Sequence, residues 1–316
     1  MWHRSVVWPL VFCSLLLAFP TLSHTEVKEI TVRFGVLPVL QALPLFVAEE
    51  KGLFSKAGVR VDLTPFNTAA EKDIALSSGN IDGCFGDLVT PTVLIGNGRD
   101  VKIVATNYNT ASDRRMFGIL AKPGGKYGSL KDLSGVPVAV SSNSVIDHVT
   151  QVLLEKGGVP ENKYEKLEVK NIGMRMQMLL SGQVEAATLP EPLVTAAIGK
   201  GAVLLSDDAG LQISQTVLVF SGDMLQKSPE AIRAFLVAVN EASQLIDREP
   251  DQARSIMVEH VRLPDPLKAT YPVPKFPAVH APDRDSVLAT VKWLKQREVI
   301  PQLLSYEQVV NAKLVP

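Results

Sequence analysis

Two carboxylates stand in matching surroundings. Asp87 and Glu191 each follow a short apolar run and lead into a helix-like stretch. A carboxylate so placed can accept hydrogen bonds from an amine, amidine or aminopyrimidine. Its plainer role is to sit at a helix start, stabilised by the helix dipole. Pro190 and Pro192 restrain the backbone around Glu191, which favours a positioned group. A second polar constellation is Ser141-Ser142-Asn143-Ser144, just ahead of a helical pattern. Its hydroxyls, amide and free backbone N–H groups suit an anionic or acceptor-rich ligand group, although Ser and Asn are also ordinary N-caps. Tyr108 is the best-placed aromatic ring, and Tyr271 could reach in from a Pro-rich segment. Arg114 and Arg115 could pair with a ligand anion; solvated or salt-bridged side chains are the favoured reading.

The residues needed for bond-making chemistry are not assembled. The five histidines are scattered without metal-ligand spacing. Gly124-Gly125 lacks the rest of a phosphate loop, and no G-x-S-x-G elbow occurs. Met174, Met176 and Met178 fall on a helical stretch, where positions two apart do not share a face, so core and partner contacts fit better than a soft-metal site. The two cysteines, Cys13 and Cys84, exclude a disulfide scaffold and a cysteine-built zinc or iron–sulfur centre. Cys84 lies in an apolar stretch and reads as a small buried residue. No cofactor and no metal is expected. Aromatic residues are only 6% of the chain, too few for a sugar platform or an aromatic cage. A small polar or zwitterionic ligand fits better.

The elements that must position these groups alternate. Strand patterns at residues 30–37, 59–65, 81–85 and 101–106 are separated by helices opening at Pro44, at Ala69 and at Thr90. The alternation restarts with strands at 115–122, 136–140, 167–170 and 184–188, and with helices at 144–156 and 174–180. Strands alternating with helices in this way mean α/β units with a largely parallel sheet. The halves echo each other: Leu76-Ser77-Ser78-Gly79-Asn80-Ile81-Asp82 corresponds to Leu179-Leu180-Ser181-Gly182-Gln183-Val184-Glu185. After Ser221 the pattern becomes helical, with Ser228 as cap, Pro229 at the first helical position and Ile232, Phe235, Leu236, Val239 and Ala242 on one face. In open α/β sheets ligands sit beyond the carboxyl ends of strands. The candidate ligand contacts are therefore Pro38, Gln41, Ala42, Asn67, Thr68, Asp87, Asn107, Tyr108, Ser141, Ser142, Asn143, Ser144 and Glu191.

Composition bounds the class. The 316 residues are 46% hydrophobic, enough for a sizeable core and too many for a disordered chain. Lys and Arg number 32 against 33 Asp and Glu, a net charge of -1, which argues against a nucleic-acid partner. Residues 1–23 have the pattern of a secretory signal: His3 and Arg4, an apolar run, then Thr21-Leu22-Ser23 with small residues at the cleavage positions. Cleavage after Ser23 or after Thr25 would leave a protein exported to the periplasm. Phe12 ahead of Cys13 speaks against a lipoprotein.

Four segments in order resemble one family: GVLPVLQALPLFVAEEKGLFSKAGVRVDL from Gly35, LSSGNIDGCFGDL from Leu76, GSLKDLSGVPVAVSSNS from Gly128 and LLSGQVEAATLPEPL from Leu179. They are similar to the substrate-binding proteins of ABC importers, in the nitrate, sulfonate, taurine and thiamine-pyrimidine (NMT1-like) set. The resemblance implies a type II periplasmic-binding-protein fold, two α/β lobes joined by two crossing strands near residues 115–121 and 216–221. Lobe one would take residues 26–117, lobe two 118–216, and residues 217–316 would return to lobe one. It implies capture of a small ligand (sulfonate, nitrate, taurine, aminopyrimidine or amino-acid-like), delivery to the membrane permease of an ABC importer, a monomer and no catalysis. Acidic-Pro loops like that of Glu191 line the family's cleft. Some relatives make thiamine pyrimidine with a Cys cluster and a cofactor-binding Lys; the lone Cys84 departs from that. The alternatives are an enzyme on the same scaffold acting on a pyrimidine or amino compound, and a ligand sensor without transport.

Overall fold

The computed structural model describes residues 1–3 and 30–316. The export signal read at residues 1–23, with Cys13 and both cleavage points, therefore lies outside the described residues beyond its first three. The chain begins with β1 (Thr31–Val36), a 3-10 turn at Leu40–Ala42 and α1 (Leu43–Glu50), with Pro44 in its first turn. Gly52, at φ +63°, turns the chain into α2 (Leu53–Lys56). Then come β2 (Arg60–Pro65), α3 (Ala69–Ser77), β3 (Gly83–Gly86), α4 (Val89–Gly96) and β4 (Val101–Tyr108).

Residues 109–116 carry the chain to a second sheet. It is built from β5 (Phe117–Ala121), β6 (Pro137–Val140), α5 (Val145–Lys156), β7 (Glu165–Glu168), α6 (Ile172–Leu180), β8 (Ala186–Pro190), α7 (Leu193–Ile198) and β9 (Val203–Asp207). Residues 208–215 lead back to β10 (Thr216–Ser221), which lies in the first sheet. The helices α8 (Gly222–Lys227), α9 (Pro229–Arg248), α10 (Pro250–His260), α11 (Arg284–Gln296) and α12 (Tyr306–Val309) follow.

The first sheet has the order β2-β1-β3-β10-β4 and the second β7-β6-β8-β5-β9. In each, the strand laid down just after a passage between sheets runs against its neighbours: β10 is antiparallel to β3 and β4, β5 to β8 and β9. Of the expected crossing segments, Arg115 and Met116 lie in the first passage, whereas residues 117–121 and 216–221 are already paired in a sheet. The strand sought at 167–170 lies at Glu165–Glu168 instead. It is an edge strand with mostly exposed residues, so apolar content was a poor guide to it. Ser228 does hold the N-cap position of α9, but its hydroxyl makes no capping bond.

The core explains why α9 is long. Ile232, Phe235, Leu236, Val239, Ala242 and Ile246 are all buried along one stripe. Phe235 stacks on Phe54 at 5.1 Å and meets Phe34 of β1 at 4.6 Å and Phe220 of β10 at 5.4 Å. That cluster fixes the C-terminal helices to the first sheet. Gly83 allows β3 and β10 to close up: a Cβ there would stand 2.7 Å from the Val219 carbonyl. Among the described residues, no helix is long and apolar enough to cross a membrane.

Candidate functional site

The predicted residues at the strand ends sort into two groups, one per sheet. On the first sheet, Asn107 at the end of β4 is fully buried, and its Nδ2 donates to the Gln41 carbonyl at 3.2 Å. Gln41 is itself buried, and Ala42 is wholly enclosed in the core. The segment after α10 frames these ends: Arg262 donates from its backbone to the Pro38 carbonyl at 3.0 Å and from its guanidinium to Asn67 Oδ1 at 2.7 Å. Thr68 caps α3, accepting from the Glu71 N–H. Asp87 caps α4, with Oδ1 accepting from Val89 N at 2.7 Å and Thr90 N at 3.0 Å. Burial raises the Asp87 carboxyl above its ordinary pKa, against the pull of those two N–H groups. Tyr108 is buried against Phe276 at 5.1 Å, with the Arg114 guanidinium 5.3 Å from its ring centroid. Burial pushes its phenol upward.

On the second sheet the loop from Ser141 to Ser144 is tightly bonded. Ser144 caps α5, accepting from Ile146 N at 3.2 Å and donating to the Ser141 carbonyl at 2.7 Å. Asn143 adopts φ +57° and donates its N–H to Asp147 Oδ2 at 2.9 Å. Ser142 donates through its N–H and hydroxyl to Glu168. Burial works to raise the Glu168 carboxyl, but these Ser142 bonds hold it below its usual range. Ser141 Oγ accepts from the guanidinium of Arg175.

Arg175 is the residue that sequence reading passed over. It is fully buried in α6, and its other N–H groups go to the Val169 and Thr188 carbonyls. No carboxylate of the described residues lies within salt-bridge distance of it. Burial brings its pKa down to about 10, so it stays charged at neutral pH. The repeat between the halves contained the signal. Arg175 stands four residues before Leu179, as Lys72 stands four before Leu76. Lys72, also buried, is neutralised by Asp73 at 2.6 Å and touches Cys84 Sγ at 3.3 Å. Arg175 has no such partner, so its charge acts outward through Ser141. Because that hydroxyl's oxygen accepts from Arg175, its proton is left to donate elsewhere.

Glu191, buried at the end of β8, ends in a cis bond to Pro192. Its Oε1 accepts from Arg115 Nε at 2.6 Å and from the Thr195 hydroxyl at 3.0 Å. The salt-bridged reading of Arg115 therefore holds. The Tyr271 hydroxyl, carried by the segment after α10, faces the same carboxylate, and burial followed by that carboxylate pushes its pKa up. A contact between lobes lies at α11, where Trp293 Nε1 donates to Gln151 Oε1 of α5 at 2.8 Å. Asp208, fully buried, ties the two passages together: it accepts from Met116 N at 2.8 Å and Phe117 N at 2.9 Å and pairs with the Ser214 hydroxyl. Among the described residues, no group of three or more His, Cys, Asp or Glu side chains could hold a metal ion. Met176 and Met178 pack half-buried against the second sheet's core, while Met174 is exposed.

Comparison with known proteins places this arrangement. The aliphatic sulphonate binding protein SsuA from Escherichia coli superposes with a TM-score of 0.77 at 18% identity, covering 88% of this chain and 91% of that one. The chain therefore has the two-lobed periplasmic-binding-protein fold. The taurine-binding periplasmic protein of Escherichia coli K12 is 24% identical over 297 residues, 87% of this chain and 90% of that protein. The bicarbonate-binding protein CmpA of Synechococcus elongatus is 24% identical over 263 residues, 73% of this chain and 56% of CmpA. The model of the NMT1/THI5-like family matches residues 40–253, more than half of the sequence, and the chain belongs to that family.

Proposed function

We propose that this chain is the extracytoplasmic solute-binding component of an ABC importer. It captures a small polar solute between its lobes and presents the closed form to a membrane permease. The reading takes residues 1–23 as a cleaved export signal, 26–117 and 217–316 as lobe one, and 118–216 as lobe two. It makes the mature protein a periplasmic monomer that breaks no bond. The observation that carries it is the uncompensated buried Arg175 behind Ser141, at the start of α5. A buried cation and a helix N-terminus together favour an anionic oxygen group. Relatives named for bicarbonate, taurine and sulphonate fit a solute of that kind. The hydrogen bond from Trp293 to Gln151, between α11 and α5, supports closure as the means of capture, because it is made between lobes. Closure requires that the solute touch both lobes more favourably when they are shut.

The test is calorimetric titration of the purified chain with small sulfonates, nitrate, bicarbonate, amino acids and aminopyrimidines. Solution scattering would follow closure, and the solute would be recovered and weighed afterwards. Binding of an anion-bearing solute, with a smaller radius of gyration and unchanged solute mass, is expected. A solute recovered chemically altered would replace the capture reading with catalysis.

A further inference from the structure

Asn107 is fully buried, yet only half of its amide is used. Nδ2 donates to the Gln41 carbonyl at 3.2 Å, and Oδ1 has no hydrogen-bond partner. The orientation is not open to choice. The Gln41 carbonyl only accepts, so turning the amide over would set two oxygens against each other. Leaving such an acceptor unpaired and buried is costly. Folded proteins keep few such groups, and each calls for a cause. This one closes β4 at the carboxyl end of the first sheet, beside Tyr108 and the turn after β1. That is the side on which open α/β sheets bind their ligands.

We infer that Asn107 Oδ1 accepts a hydrogen bond from an N–H group of the captured solute. The inference deepens the solute-capture reading and rests on it. With Ser141 and Arg175 facing an anionic group from lobe two, the solute carries two unlike ends: an acid oxygen for one lobe and an amino or amide donor for the other. A plain anion such as nitrate, bicarbonate or an alkanesulfonate satisfies only lobe two. An amino acid, aminosulfonate or aminophosphonate satisfies both, and binding both ends is what draws the lobes together. The neutral acceptor is also a filter, since a solute that brings only oxygens leaves Oδ1 unpaired.

The experiment compares matched pairs of short acids with and without the amino group: taurine and ethanesulfonate, β-alanine and propionate, 2-aminoethylphosphonate and ethylphosphonate. Each is titrated by calorimetry into the wild-type chain and into Asn107→Leu, with Asn107→Ala as the substitute should the leucine variant not fold. The expected result is at least tenfold tighter binding of the amino member of a pair, about 1.4 kcal/mol. That preference should vanish in the variant while the plain acid binds within twofold of wild type. Equal binding of both members to the wild-type chain would overturn the inference and leave solute capture standing. So would an amino preference that survives the substitution, because Oδ1 would then hold only a structural water. No binding by any member of any pair would overturn the inference, and the wider titration with nitrate, bicarbonate and aminopyrimidines decides solute capture separately.

Discussion

Replacing His148 by phenylalanine should remove a large part of the chain's acid sensitivity. His148 is a buried residue of α5, with its ring 4.9 Å from that of Trp293 of α11 and its Nδ1 without a partner. Burial is the main reason its pKa is pushed down to about 4. Asp147 opposes that shift and the Arg297 guanidinium adds to it. Lys166 and Glu161 complete the charged surroundings, each pairing with another member of the group. The folded-state pKa lies below the free value of 6.5, so between these values the unfolded chain binds the proton and the folded chain does not. Stability is therefore complete above the free value and falls as the pH drops toward 4. For one group with these two values, the loss between pH 7.5 and pH 4.5 is about 2.5 kcal/mol. In a chain of 316 residues that corresponds to roughly 4 °C in melting temperature. Urea unfolding of wild type and His148→Phe at the two pH values reads the difference directly. A carboxylate background common to both chains cancels. If both chains lose the same stability between pH 7.5 and 4.5, the imidazole is not buried uncharged beneath the α5–α11 contact and the reasoning fails.

Two further substitutions test how the lobes are held. Arg115→Met leaves the buried Glu191 carboxylate with Thr195 but no cation, and should cost about 2 kcal/mol, the scale of hydrogen bonds to charged groups; unchanged urea midpoints would show that the pair contributes nothing. Asp208→Ala strands the buried N–H groups of Met116 and Phe117 at the junction of the two passages and should cost about 3 kcal/mol. Amide exchange localised to residues 109–117 and 208–215 is the expected signature, and its absence would mean that the passages are held by other contacts.

The alternating strands and helices were legible because each buried strand is a short apolar run ended by Gly, Pro or a polar residue. β7 was displaced because an exposed edge strand carries no such run. The site was legible in position more than in role. Asp87, Thr68 and Ser144 do stand at the strand ends, but their side chains are spent on the N-terminal N–H groups of α3, α4 and α5. Sequence cannot separate a cap from a ligand contact, because both need the same residue types before a helix. Glu191 shows a related limit. Its pairing with Arg115 bridges 76 positions, and no local pattern encodes it. Arg175 was hidden by its neighbours: an arginine among alternating methionines on an amphipathic helix looks solvated until the fold buries it.

Lys72 and Arg175 hold matching places in the repeat but are neutralised differently. Both cations sit at the same place in the repeat, in the first part of a helix that packs on its sheet, and both are buried. A buried charge without a partner is costly, so it must be neutralised, or spread over dipoles and satisfied from outside. In lobe one the next residue, Asp73, pairs with the lysine at 2.6 Å. In lobe two the next residue is Met176, and the guanidinium is met only by two carbonyls and the Ser141 hydroxyl. Glu168 is the nearest carboxylate to influence it, and that group is already engaged by Ser142. The two buried cations therefore differ in the residue that follows each, Asp73 against Met176. Among the described residues, lobe two thus holds a buried cation that no carboxylate pairs, and lobe one, at Asn107 Oδ1, an acceptor that no donor meets. Under the proposed solute capture, a solute that supplies both would complete the hydrogen bonding of each lobe when the two are brought together.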